Sequence, residues 1–378
     1  MWYVRAMMTQ KRTWLGLGLL LCCVVTTGCS RRLARLVVRK VQAWVRPARP
    51  APAPPSPPPR VSVIDCNDEH APDAVLSDWA MKFSMLRMSH EPSREAYAAL
   101  DRAERVLLLG LQTCPADPAW WEAVLGAEAT RGFLSNDLFP LEVGGERVHS
   151  GVDLARSAHR RFPEDPNIAY DWAKIENSTE EEGMRPHLSS AREAHRLDPD
   201  DRRTQLLLGQ TLLRTGNAAE ALTVMKVPQK DEQRYFDETE RQVFSLWRAT
   251  AQLATGDAKA ALRTIEDKSL FGKEALEGDD GFVVRMAHPF LRGVTLLQLG
   301  RGKEAVRVLK KWLDQEPEVG ITGPQDWVKD REAGDWLTCM GSVLQDKLRQ
   351  QLRDGKWTAK EREVLRTVFA ANLGMTDF

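Results

Sequence analysis

The sequence predicts an all-α fold, an α-solenoid of antiparallel helical hairpins. Three observations carry this. The stretches "GQTLLRTGNAAEALTVM" from Gly209, "ATAQLATGDAKAALRTI" from Ala249 and "GVTLLQLGRGKEAVRVL" from Gly293 can be laid side by side. No convincing run of alternating apolar and polar residues marks a strand; only "LEVGGERV" at 141–148 reads as a small hairpin. The chain from Asp65 to Phe378 is long enough for a large core or an array of repeats.

Each stretch is built around a central glycine, Gly216, Gly256 or Gly300. Upstream lies a small residue, Gly209, Ala249 or Gly293; downstream lie an alanine, Ala221, Ala261 or Ala305, and a large apolar residue, Met225, Ile265 or Leu309. This is the chemistry of a tight helical hairpin. Glycine ends the first helix where φ must be positive. Asn217 or Asp257 can cap the second, with Glu220 at capping-box distance from Asn217. Small residues let the two helices approach, and the large ones fill the seam between them. The same helical rhythm predicts helices over Val75–Met88, Arg94–Thr113, Ala119–Arg131, Val148–Phe162, 233–254, 284–299, Gly334–Arg353 and Lys360–Asn372. Thr358 and Glu361 form a capping box for the last. Two insertions, 132–147 and 267–282, interrupt the rhythm and read equally well as functional or as tolerated loops.

This pattern resembles the tetratricopeptide repeat (TPR), in which small residues and alanine occupy these positions in a helical hairpin. The family's closing proline appears as Pro118, Pro166, Pro199 and Pro317, and Trp172 best fills its tryptophan position. The repeats are degenerate and carry insertions; the resemblance is firm over 165–317 and weaker over 93–165. In the family the first helix of each hairpin lines a groove. That resemblance nominates Tyr170, Asn177, Arg203, Gln210 and Arg214 as groove residues.

The chain starts differently. Arg5, Lys11 and Arg12 precede an uncharged stretch from Trp14 to Thr27, too short to span a bilayer core and patterned as a secretory signal. Its end, Thr26-Thr27-Gly28-Cys29, resembles the lipobox of bacterial lipoproteins. The resemblance implies a signal peptide over 1–28, cleavage before Cys29, lipid on Cys29, and a place in the bacterial cell envelope facing the periplasm. Ser30, in place of an acidic residue, points by the same resemblance to the outer membrane rather than the inner. Over 29–46, Leu33, Leu36, Val37, Val41 and Trp44 share one helical face, while Arg31, Arg32, Arg35, Arg39, Gln42 and Arg46 share the other. A basic amphipathic helix beside a lipid site reads as lying in the headgroup region; the competing reading packs it on the body. The proline-rich linker 47–64, with eight prolines in 47–59, excludes helix and sheet and reads as a semi-rigid spacer.

Net charge is zero overall, but residues 1–64 hold 11 Lys and Arg and no Asp or Glu, leaving 42 basic against 53 acidic residues in the body. A positive arm on an acidic body fits anionic lipid at the arm and excludes nucleic acid at the body. Beyond Cys29, the mature chain keeps Cys66, Cys114 and Cys339, enough for one intramolecular disulfide at most.

No phosphate loop, nucleophile elbow, HExxH or paired CxxC occurs, so no enzyme and no cofactor is expected. "DCNDEH", with Asp65, Cys66, Asp68, Glu69 and His70, has metal-ligand residue types but no second group at a zinc-like spacing, and reads as a polar turn. His288, before Pro289, reads as structural and near a helix start, and the Trp120-Trp121 pair as seam filling rather than a ligand cage. Two functions then stand. The first is a membrane-anchored, non-enzymatic interaction scaffold that offers a TPR-like groove to a protein partner, with 65–317 as repeats and 318–378 as capping helices. The alternative is a transport accessory, similar in layout to the T-component lipoproteins of TRAP-type transporters, that binds a small apolar ligand and a solute-binding protein. A continuous apolar channel would favour the second, and packed seams the first.

Overall fold

A computed structural model describes residues 64–88, 93–131, 139–178, 187–226, 238–271, 282–314 and 331–373. The expected signal, Cys29, the helix expected after it and the expected proline-rich linker up to 63 lie outside the described residues, as does Pro317. All described residues belong to one unit, Ile64–Phe378.

Helices follow one another in pairs. They are α1 (Ala71–Met88) and α2 (Arg94–Thr113), α3 (Pro118–Arg131) and α4 (Gly151–Arg161), α5 (Pro166–Ser178) and α6 (Leu188–Leu197), and α7 (Arg202–Arg214) and α8 (Ala218–Val224). Then come α9 (Glu238–Ala254) and α10 (Ala258–Ile265), α11 (Phe282–Gln298) and α12 (Gly302–Leu313), and α13 (Arg331–Asp354) and α14 (Ala359–Leu373). The two helices of each pair pack together, and each first helix packs on the next: α1 on α3, α3 on α5, and so on to α11 on α13. This is an all-α, TPR-like solenoid.

The hairpin turns follow the glycine rule. Gly216, Gly256 and Gly300 have φ of 85°, 93° and 73°, a region closed to most other residues. Each turn closes by the same pair of bonds: Gly216 N–H donates to Leu213 O and Asn217 N–H to Leu212 O, at 3.0 and 2.8 Å, with counterparts at Gly256 and Gly300. The seams match too. A Cβ on Gly209 would meet Met225 side-chain atoms at 2.6 Å, and one on Gly293 would meet Leu309 at 2.5 Å. Ala221, Ala261 and Ala305 are fully buried.

The caps differ from one another. Asp257 accepts from Ala260 N–H at 2.9 Å, as expected, but Asn217 makes no cap bond; its amide donates to Thr215 Oγ1 at 3.1 Å. Glu220 binds Arg192 of α6 at 2.8 Å instead of closing a box, because a charged guanidinium outcompetes a backbone amide for it. The box at α14 does form: Thr358 N–H donates to Glu361 Oε2 at 2.8 Å and Glu361 N–H to Thr358 Oγ1 at 3.3 Å. The helix expected from Val148 starts at Gly151, with Ser150 as its cap, because Val148 belongs to a strand.

That strand, β2 (Glu146–Val148), pairs antiparallel with β1 (Leu141–Val143) around Gly144 and Gly145, both at positive φ. The described part of the first insertion is structural. Leu141, Val143 and Val148 are buried, Gln112 of α2 donates to Glu142 O, and Arg161 of α4 donates to Gly144 O and Pro115 O. Glu146 holds Ser157 and Arg160 of α4.

Cys66 and Cys114 are joined in a disulfide, with Cα atoms 5.6 Å apart. It ties the turn before α1 to the end of α2. The "DCNDEH" segment is a polar turn in which Asp65 and Asp68 accept from Asn67 N–H and His70 N–H. Trp120 and Trp121 are buried, Trp120 over Gly110 of α2 and Trp121 donating to Pro115 O at 3.0 Å. His288 lies well inside α11 rather than at its start, because the helix begins at Phe282 and tolerates Pro289 in its second turn; its Nε2 donates to Ile265 O at 2.9 Å.

Candidate functional site

The stacked first helices place one polar cluster on α3, α5 and α7. Asp201 caps α7 by accepting from Arg203 N–H at 2.8 Å, and its second oxygen accepts from Arg203 Nε at 2.9 Å. This aims the guanidinium at α5, where it lies 5.0 Å from the Tyr170 ring centre and donates to Asn167 Oδ1 at 3.2 Å. Lys174, one turn on, is the second cation at this ring, its Nζ 6.0 Å from the ring centre. Asp165, before α5, caps its first turn and shares hydrogen bonds, with Asn167, to Glu122 of α3.

The electrostatics of the cluster are unusual for a surface. Burial pushes the Glu122 carboxyl up to about 7, reinforced by the charges of Asp165 and Asp171. Burial also lifts Asp171 to about 6, against the pull of Lys174 and Arg203. Tyr170 is raised to about 12, by burial first and the Asp171 charge second. Arg203 is held more firmly charged by Asp201. Two carboxyls thus hold protons close to neutral pH beside a fixed cation and an aromatic ring. A cationic or hydrogen-bonding segment of a partner would meet groups able to change their charge on contact. No nucleophile sits against a base here.

The nominated groove residues divide. Tyr170 and Arg203 are brought together. Asn177 is 9% exposed and its amide is spent within the fold: Nδ2 donates to Ala173 O and His187 O, and Oδ1 accepts from His187 N–H at 3.0 Å. It pins the start of α6. Arg214 donates to Asn177 O at 3.2 Å, so it joins α7 to the end of α5. Gln210 lies half-buried on α7, one turn before Arg214. Cys29 lies outside the described residues. Glu122 and Asp171 had no signal in the sequence beyond their place on a first helix, because their protonation depends on burial by other helices.

The titration has a consequence for stability. Glu122 and Asp171 have ordinary values of 4.5 and 3.8, so the folded protein binds their protons more tightly than the unfolded chain. The stability they contribute is complete below those values and is lost as pH rises to about 7. The thermal midpoint is expected to fall between about pH 5 and about pH 8, and to fall less in Glu122→Gln. Parallel melting curves for both proteins check this; an equal decline would remove Glu122 as a cause.

Among the described residues no group of three or more His, Cys, Asp and Glu side chains could hold a metal ion. The seams that an apolar ligand channel would need are filled by Met225, Ile265, Leu309 and the tryptophans. An open cleft of about 910 Å³ lies between the α11–α12 and α13–α14 turns; most of its lining residues are polar or charged, among them Arg301, Glu304, Gln351 and Lys356, with Trp357 at one wall.

The architecture is that of a helical-repeat protein with a polar first-helix face. Residues 202–225 and 242–267, the α7–α8 and α9–α10 hairpins, match the tetratricopeptide repeat family. No curated protein matches the chain.

Proposed function

We propose that the protein is a membrane-anchored, non-enzymatic scaffold that offers its first-helix face to a protein partner in the periplasm of a bacterium. The carrying observation is the Tyr170–Arg203–Glu122 cluster, contributed by three successive first helices and by no single one. Stacked helical hairpins are suited to such recognition because they turn a linear array into an extended surface. The lipobox-like Thr26-Thr27-Gly28-Cys29 and the spacer after it supply the anchor and the reach. The Cys66–Cys114 disulfide supports export, since such bonds persist in oxidising compartments. Basic residues of 31–46 hold the base of the spacer against anionic headgroups of the outer membrane.

Two measurements test this. Cys29→Ala is expected to abolish incorporation of a fatty-acid probe; equal label on variant and wild type would refute the anchor. Co-purification from detergent-solubilised membranes is expected to yield a partner with the wild-type chain and to lose it with Tyr170→Ala combined with Arg203→Ala. Undiminished recovery would move the contact off this face.

A further inference from the structure

The cleft at the α11–α12 and α13–α14 turns is built from four helix ends: the last turns of α11 and α13 and the first turns of α12 and α14. Trp357 forms one wall, and its ring is wedged between two glycines. A Cβ on Gly302 would meet the ring at 2.6 Å, and one on Gly355 would overlap it. The indole N–H donates to Leu352 O at 3.0 Å. These contacts fix the ring in place. It stays half-buried, and the part that the glycines leave uncovered lines the cleft.

The charges of the lining balance. Arg301, Lys303 and Lys356 stand with Glu304, Asp354 and Glu361. Arg301 grips Glu304 by two bonds of 2.8 and 2.7 Å, and the charge of Lys303 acts on Glu361. The amides are left over. Gln298 Nε2 and Gln351 Oε1 are buried and have no hydrogen-bond partner among the described residues, and both side chains line the cleft. One lacks an acceptor and the other a donor, and such atoms are costly to leave unmade. The last torsion of a glutamine is broad, so each amide can turn towards a ligand.

We propose that this cleft binds a neutral saccharide, laid against Trp357 and hydrogen-bonded by Gln298 and Gln351. A hydroxyl both donates and accepts, so two neighbouring hydroxyls supply the acceptor that Gln298 lacks and the donor that Gln351 lacks. The C–H bonds of a sugar ring present the positive side that the negative face of an indole attracts. An ionic ligand meets no unbalanced charge here. A peptide group also carries one donor and one acceptor, but it brings no ring of C–H bonds to Trp357. The volume of about 910 Å³ lies within the usual range for ligand sites. The cleft shares no residue with the Tyr170–Arg203 cluster, so this proposal and the reading of that face as the partner surface stand or fall separately.

Fluorine NMR of the full chain, labelled with fluorotryptophan, tests it. The Trp357 resonance is assigned by its loss in Trp357→Phe. Trisaccharides of glucose, mannose, galactose and N-acetylglucosamine are the probes, and N-acetylglycinamide stands for a peptide group. At least one trisaccharide is expected to shift the Trp357 resonance saturably. Its midpoint is expected to rise at least about 10-fold when Gln298→Leu is combined with Gln351→Leu, since each change removes a hydrogen bond to the ligand. No saturable shift with any of the four sugars would overturn the proposal. A shift that N-acetylglycinamide produces and the sugars do not would make the cleft a peptide site and overturn it too. A sugar midpoint that ignores the double change would remove the two amides from the site, with the same result.

Discussion

Breaking the Cys66–Cys114 bond is expected to destabilise the protein by about 4 kcal/mol, the largest effect of any single change considered. The bond closes a loop of 48 residues, and restoring that loop's freedom to the unfolded chain sets the magnitude. Cys114 is buried while Cys66 is exposed, so Cys66→Ala is the milder way to remove the bond without emptying the core. Urea unfolding of the oxidised protein, the reduced protein and Cys66→Ala checks the expectation. The last two should coincide, displaced from the first by the same amount. Identical midpoints for all three would show that this loop is not closed in the protein.

The second large effect belongs to the α11–α12 seam. Leu309→Ala should cost about 3 kcal/mol, because Leu309 is fully buried and its removal leaves a cavity. Gly293→Ala places a methyl 2.5 Å from Leu309 Cγ and Cδ2. Its overpacking, about 2 kcal/mol, is partly offset by the better helix propensity of alanine, about 1 kcal/mol. The informative protein is the double variant. The added methyl then occupies space that the leucine has vacated, so the combined loss should fall short of the sum by about 1 kcal/mol or more. Strict additivity would mean that the two side chains do not share a seam, and the assignment of α11 and α12 as one hairpin would fail with it.

The hairpins were legible because their determinants are local. Gly216, Gly256 and Gly300 end helices by their own backbone freedom, and Thr358 and Glu361 cap α14 from three residues apart. Residues that choose between a local and a distant partner were misread. Asn217 and Glu220 have the spacing of a capping box, but Arg192 comes within reach only once α6 and α8 both pack on α7. Asn177 sits on the first helix of its hairpin and looks available in the sequence; the fold turns it onto His187. The candidate site was half legible for the same reason. Tyr170 and Arg203 follow from their repeat positions. Glu122 and Asp171 matter through burial and mutual charge, to which α3 and α5 contribute separately.

The sequence by itself determined the hairpin repeat, the turn glycines, the small and large residues of each seam, and the separate chemistry of the first 64 residues. These depend on periodicity, composition and neighbours within one turn of helix. Only the tertiary structure decided which two cysteines join, which carboxyls hold protons near neutral pH, and what course α13 takes. Disulfide choice depends on two Cα atoms 48 positions apart meeting within 5.6 Å. Proton affinity depends on how much water other helices displace. The course of α13 depends on Lys347 meeting the last carbonyls of α9, Leu253 O and Ala254 O, more than ninety residues earlier in the chain.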